Sequence, residues 1–174
     1  SNSTLVMINN VKINGNQRGI DVRNINSAMA NRQIKVEITK CVISNNTSMG
    51  GQGIRFINTN SANNSSIQAK LLNNVIEGNK VGFLAANLNA SSSTIMIVSK
   101  NNMIDGNGNG CIFLTGNSDG SISSDNNSIT FTAQKGSIQN SDSTLIPIAL
   151  TSMTGGIIAI GGNSPNIANH SSNN

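Results

Sequence analysis

Apolar residues alternate with polar ones in short runs along the chain, at Val6/Ile8, Ile34/Val36/Ile38, Ile67/Ala69/Leu71, Ile95/Ile97/Ser99 and Ile129/Phe131/Ala133. A period of two over such lengths predicts strands buried on one face. Five residues after the last inward position of each run stands an Ile that opens a second motif, Ile-x-[Gly/Asn]-Asn. It reads Ile13-Asn14-Gly15-Asn16, Ile43-Ser44-Asn45-Asn46, Ile76-Glu77-Gly78-Asn79 and Ile104-Asp105-Gly106-Asn107, with a degenerate copy at Ile138-Gln139-Asn140. Each full copy leads to a Gly and a large apolar residue or Cys: Gly19-Ile20, Gly53-Ile54, Gly82-Phe83 and Gly110-Cys111.

The motif isoleucines are 30, 33, 28 and 34 residues apart. A period near 30 that holds three short strands is too short for crossover helices and too regular for a Greek key. It predicts an all-β fold, a single-stranded right-handed parallel β-helix (a solenoid) of about five to six coils stacked at about 4.8 Å. Residues 1–162 are expected to form the helix, with a partial last coil at 155–160, and residues 163–174 a polar tail or linker. Residues 24–32, 58–65, 87–93 and 115–125, rich in Asn, Ser and Gly, are expected to project as loops from one corner.

Composition supports this picture. The 174 residues include 32 Asn and 24 Ile, so one type can occupy the turns and the other the core ladders. Asn tolerates left-handed backbone geometry, and its amide can bond to the coils above and below. Cys41 and Cys111 fall two coils apart, beyond disulfide reach, and are expected to be free and buried. No apolar run approaches the roughly 20 residues of a membrane span. The chain starts at Ser1 with no visible signal segment, and is expected to be a processed product or a fragment of a larger protein.

Charge and aromatic content narrow the function. Charged residues are 10% and aromatics 2% of the chain, and the net charge of +4 comes from 11 Lys and Arg with no basic run. Neither a charge-driven nor an aromatic recognition surface is expected, so nucleic acid is not expected as a partner.

The repeat resembles the right-handed parallel β-helix proteins of the pectin-lyase-like superfamily over about residues 4–160. In the second coil, Ile43-Ser44-Asn45-Asn46 and Gly50-Gly51-Gln52-Gly53-Ile54 are also similar to the repeats of polymorphic membrane proteins, autotransported bacterial surface adhesins. The resemblance implies the fold directly, and chemistry only where motifs match. Asn58-Thr59-Asn60 lacks the acid of the polygalacturonase Asn-Thr-Asp motif, no Gly-His-Gly occurs, and no Trp is available for a pectate-lyase-like Trp-x-Asp-His signature.

Ladder register supplies the candidate site residues. Glu77 and Asp105 hold the same motif position in successive coils, so their carboxylates are expected about 5 Å apart, suited to Ca²⁺ or to acid and nucleophile roles on a glycoside, or simply solvated at a turn. Asp21 and Arg55 are expected over one another and outward, with Arg23 nearby, as an ion-pair rung or an anionic-sugar contact. Glu37 over Lys70 is expected to form a similar rung. Ile57, Leu84, Ala86, Ile112 and Leu114 form an outward apolar stripe, expected either under a loop or in an interface, including self-association.

The expected function is a non-catalytic β-helix module of a secreted or cell-surface bacterial protein, adhesin-like, presenting loops or a ladder face to a glycan or protein. No catalytic residue, metal or cofactor is assigned, apart from the Ca²⁺ option at Glu77 and Asp105. The alternative is a polysaccharide lyase or glycoside hydrolase using Glu77 and Asp105 with Lys80 or Arg55.

Overall fold

Each repeat folds into three parallel strands separated by corners, and each repeat lies on the one before it so that like residues align. The computed structural model describes residues 3–25, 31–60, 62–116, 127–139, 148–152, 157–161 and 165–167. The first turn consists of β1 (Ser3–Asn9), β2 (Lys12–Asn14) and β3 (Arg18–Ile25). The second is β4 (Gln33–Thr39), β5 (Val42–Ser44) and β6 (Gln52–Thr59), and the third is β7 (Ser66–Leu72), β8 (Val75–Glu77) and β9 (Val81–Leu88). The fourth is β10 (Thr94–Lys100), β11 (Met103–Asp105) and β12 (Asn109–Gly116). Strands β13 (Ser128–Gln134), β14 (Gly136–Gln139), β15 (Ile148–Ser152), β16 (Ile157–Gly161) and β17 (Pro165–Ile167) continue the stack.

Three parallel sheets result: sheet A in the order β1-β4-β7-β10-β13-β16, sheet B in the order β2-β5-β8-β11-β14-β17 and sheet C in the order β3-β6-β9-β12-β15. The predicted parallel solenoid of period near 30 is therefore the fold. No helix long and apolar enough to cross a membrane occurs among the described residues. Strand β17 pairs with β14, so sheet B extends into the stretch expected to be a polar tail.

The motif Ile residues form one column, Ile13↔Ile43↔Ile76↔Ile104↔Ile138, buried from the second rung onward. In sheet C the inward columns exchange bulk between rungs. Phe56 and Phe113 share a column with Ala85, while Phe83, in the neighbouring column, shares its rung with Ala85. Large residues thus fill the room that small ones leave. Phe83 meets Phe56 edge-on at 5.4 Å, and Phe113 lies 5.2 Å from Phe131 of sheet A, so four rings knit the two sheets together.

The corners explain the Asn content. Between sheets A and B, Asn10, Lys40, Asn73, Asn101 and Lys135 all take positive φ, from 47 to 56°. At three of these corners the next residue, Cys41, Asn74 or Asn102, turns inward: Asn74 Nδ2 donates to Asn102 Oδ1 at 2.9 Å and to the Ile38 carbonyl at 2.9 Å. Cys41 holds this column one rung earlier, its N–H donating to Asn74 Oδ1 at 2.9 Å.

Between sheets B and C the motif Asn builds a second ladder, Asn46 Nδ2 to Asn79 Oδ1 at 2.7 Å and Asn79 Nδ2 to Asn107 Oδ1 at 2.9 Å. This ladder dictates the following Gly. A Cβ on Gly53 would lie 2.6 Å from the Gly82 carbonyl oxygen and 2.9 Å from Asn79 Nδ2, and one on Gly82 would meet Asn107 Nδ2 at 2.7 Å.

A third ladder corrects the expected loop boundaries. Asn24, Asn58 and Asn87 do not open loops; they lie buried within β3, β6 and β9, joined by amide bonds of 2.7 and 2.8 Å. Their side chains also donate to the carbonyls that start the sheet A strand one rung beyond the next, as from Asn87 of β9 to Ser128 of β13 at 3.0 Å. Inward amides so bonded satisfy their polarity inside the stack. Expected loop residues 26–30 and 117–125 lie outside the described residues. Cys41 and Cys111 are both buried free thiols.

Candidate functional site

Sheet B carries the paired carboxylates. The register Asn14↔Ser44↔Glu77↔Asp105↔Gln139 sets Glu77 and Asp105 on adjacent rungs, where the repeat predicts them. Glu77 is exposed and Asp105 half-buried. Asp105 Oδ1 accepts the Gly106 N–H at 2.7 Å, which ties that carboxylate to its own turn. Among the described residues no three His, Cys, Asp or Glu side chains converge to hold a metal. Two carboxylates supply only part of the 6–8 oxygens that Ca²⁺ takes.

Sheet C carries the ionic cluster. Asp21 and Arg55 face each other across β3 and β6. Arg55 Nε and Nη2 donate to the two Asp21 oxygens, each at 2.8 Å, a fork-on-fork pair. Arg23 Nε lies 3.2 Å from the same carboxylate and Arg18 Nη1 3.9 Å away. The carboxylate is 17% exposed and the Arg55 side chain 12%, so this pair is drier than an ordinary surface rung. Arg18 is the member that strand periodicity misses: three residues apart, it and Asp21 should face opposite ways, but Arg18 opens the strand and its Nε is held by Gln52 Oε1 at 3.1 Å.

The apolar stripe on the same outer face is partly closed. Ile57 and Ala86 are buried, and Leu84, Ile112 and Leu114 are half-buried.

Sheet A is different. Its outward columns run Leu5↔Lys35↔Gln68↔Met96↔Thr130 and Met7↔Glu37↔Lys70↔Val98↔Thr132. Leu5 is 66%, Met7 70%, Met96 52% and Val98 42% exposed. A shallow concavity of about 320 Å³ lies among Lys35, Glu37, Gln68, Lys70, Met96 and Val98. Glu37 and Lys70 are aligned as expected, but the rung is not an ion pair: among the described residues the only ion pairs are those of Asp21. Attraction between two solvated side chains is too weak to hold both in one geometry.

No family model, curated protein or solved structure matches this chain.

Proposed function

We propose that this chain is a non-catalytic binding module of a secreted or cell-surface bacterial protein, related in architecture to the pectin-lyase-like superfamily and to adhesin repeats, which presents the outer face of sheet A to a glycan or protein partner. The observation that carries this reading is the contrast between a buried core and an outer ladder that keeps four large apolar side chains in water, three of which, Leu5, Met96 and Val98, line a shallow concavity. The four stand as two pairs, Leu5 with Met7 on the first rung and Met96 with Val98 on the fourth, with Lys35, Glu37, Gln68 and Lys70 on the rungs between. A face of apolar side chains rimmed by polar ones suits an interaction site.

The enzymatic reading would need Glu77 and Asp105 to act on a bound sugar. Those carboxylates sit at a turn of sheet B, and Asp105 is engaged by its own backbone. A panel of neutral and acidic polysaccharides tests both readings together. Retention of one or more of them by the immobilised chain, with no new reducing ends or unsaturated products, is the expected result. Turnover that disappears in Glu77→Gln would overturn it.

A further inference from the structure

The lysines of sheet A form a line that the sequence hides. Lys35 is the third residue of β4, Lys70 the fifth of β7 and Lys100 the seventh of β10, and the register aligns these strands as Gln33↔Ser66↔Thr94. Each step moves one rung up and two residues along, about 4.8 by 6.7 Å, so successive Cα atoms stand roughly 8 Å apart on a diagonal. Lys135, at the corner directly after β13, stands on the next rung one residue further along. The four positions are 35, 30 and 35 residues apart in the chain, each interval one or two residues longer than the local repeat, which turns scattered residues into an oblique row. All four are exposed, and no described carboxylate pairs with any of them. Glu37 is the one carboxylate among the described outward positions of this sheet.

We propose that this row is the track for an acidic glycan, a polysaccharide whose carboxylate or sulfate groups meet Lys35, Lys70, Lys100 and Lys135 as it lies obliquely across sheet A. It rests on the binding-module reading and names the ligand class and the route across the face. Charge complementarity supplies the first argument, because a row of like charges that one carboxylate, Glu37, offsets only beside its first two members is relieved by a polyanion of matching direction. The surroundings supply the second. Gln68, Thr130 and Thr132 offer amide and hydroxyl groups to sugar hydroxyls beside the row, Met96 offers an apolar surface to a ring face, and the concavity opens between the first two lysines. A nucleic acid is disfavoured because all four Phe rings are buried and the chain has no Trp or Tyr, so no ring is available to stack a base.

The test uses the full chain and three immobilised polymers: polygalacturonate for carboxylates, dextran sulfate for sulfate esters, and unmodified dextran. A variant with Lys35→Gln, Lys70→Gln and Lys100→Gln is compared with a control of equal charge, Lys12→Gln, Lys40→Gln and Lys80→Gln, after circular dichroism has verified both folds. The wild type is expected to bind one or both acidic polymers and to release them with rising salt. The row variant should bind at least about tenfold more weakly, from three contacts of under 1 kcal/mol each, while the control changes less than about threefold. Which acidic polymer is retained separates the carboxylate from the sulfate source. Equal losses in the two variants would reduce the effect to net charge and overturn the row, as would tighter binding of a single-stranded oligonucleotide. Binding of dextran alone, unchanged in the row variant, would overturn the row and leave the module reading standing; retention of no polymer overturns the row, and the wider polysaccharide panel then decides on the module.

Discussion

Sheets A and C are built from the same repeat and both line one buried core, yet they treat their outer faces in opposite ways. On sheet C the outward positions Ile57 and Ala86 are buried, and Arg55 is folded down onto Asp21. On sheet A the outward Leu5, Met7, Met96 and Val98 stay 42 to 70% exposed, and the lysines beside them have no described partner. Alternation of apolar and polar residues tells which side of a strand faces the core. It does not tell whether the other side meets water, a neighbouring segment or a ligand. Both faces depend on one inner scaffold, so the strongest perturbations are those that remove it from under both.

Asn79→Ala is the largest of these. Asn79 Oδ1 accepts from the Asn46 side chain at 2.7 Å and its backbone N–H at 3.1 Å, while Nδ2 donates to the Ile43 carbonyl at 3.1 Å and to Asn107 Oδ1 at 2.9 Å. Truncation leaves several buried groups without partners, at about 1 to 3 kcal/mol each, so a loss of about 3 to 5 kcal/mol is expected in urea unfolding. The two faces should then fail in a single transition. An Asn79→Ala chain as stable as the wild type would show that the ladder is decorative.

The alkaline limb probes the inner side of sheet C alone. Burial pushes the Cys111 thiol from 9.0 up to about 12. Folded protein therefore keeps this proton at pH values where the unfolded chain has released it. The stability from the raised value is complete below pH 9 and falls as pH rises toward 12, by about 1.4 kcal/mol per pH unit. Between pH 9 and 11 the wild type should lose about 2 to 3 kcal/mol more than Cys111→Ala, which has no thiol to ionise. Parallel curves for the two proteins would mean that water reaches this position. The native thiol should also resist alkylation until the chain unfolds.

Asp21→Asn acts on the outer side of sheet C and should cost less, about 1 to 2 kcal/mol. It removes the carboxylate that Arg55 shares with Arg18 and Arg23, so three positive groups lose the one counter-charge that pairs with them among the described residues. The loss should shrink at high salt, because Arg23 is 44% exposed and its share is screened. A thermal melt of Asp21→Asn that matches the wild type at low salt would make the cluster incidental.

How much of this could be read in advance differs by layer. Register was fully legible: the spacing of Ile13, Ile43, Ile76, Ile104 and Ile138 put Glu77 beside Asp105 and Asp21 beside Arg55, as found. Asn roles were legible only in part. The motif Asn79 was expected to bridge coils and does, but Asn58 and Asn87 were read as loop openings, because an isolated Asn after a strand signals a turn until its column neighbours are known to be Asn too. The lysine row escapes a reading by columns. Its members stand 30 and 35 residues apart, one or two more than the local repeat, so they cross from column to column and no single column shows them. Side-chain pairing was the least legible, since Glu37 and Lys70 align without bonding, whereas Arg18, three residues from Asp21 on the same strand, comes within 3.9 Å of it.

The smallest expected effect is the sharpest test of the contrast between faces. Met96→Ser with Val98→Thr changes two outward positions on sheet A, and Leu84→Ser with Leu114→Ser two on sheet C. Exposed side chains lose little on becoming polar, so the first pair should shift unfolding by less than about 0.5 kcal/mol. The half-buried leucines give up part of the 1.5 to 3 kcal/mol that full burial of such a side chain contributes, so the second pair should lose about 2 kcal/mol. If the losses came out equal, sheet A would have to be covered in solution, for example by self-association. Sedimentation at two protein concentrations decides that, because a covered face would disperse in the Met96→Ser, Val98→Thr variant, whereas an open one leaves the sedimentation coefficient unchanged. An open face carrying apolar side chains at no benefit to stability is what a surface reserved for a ligand looks like, since its residues are then under no demand from the fold itself.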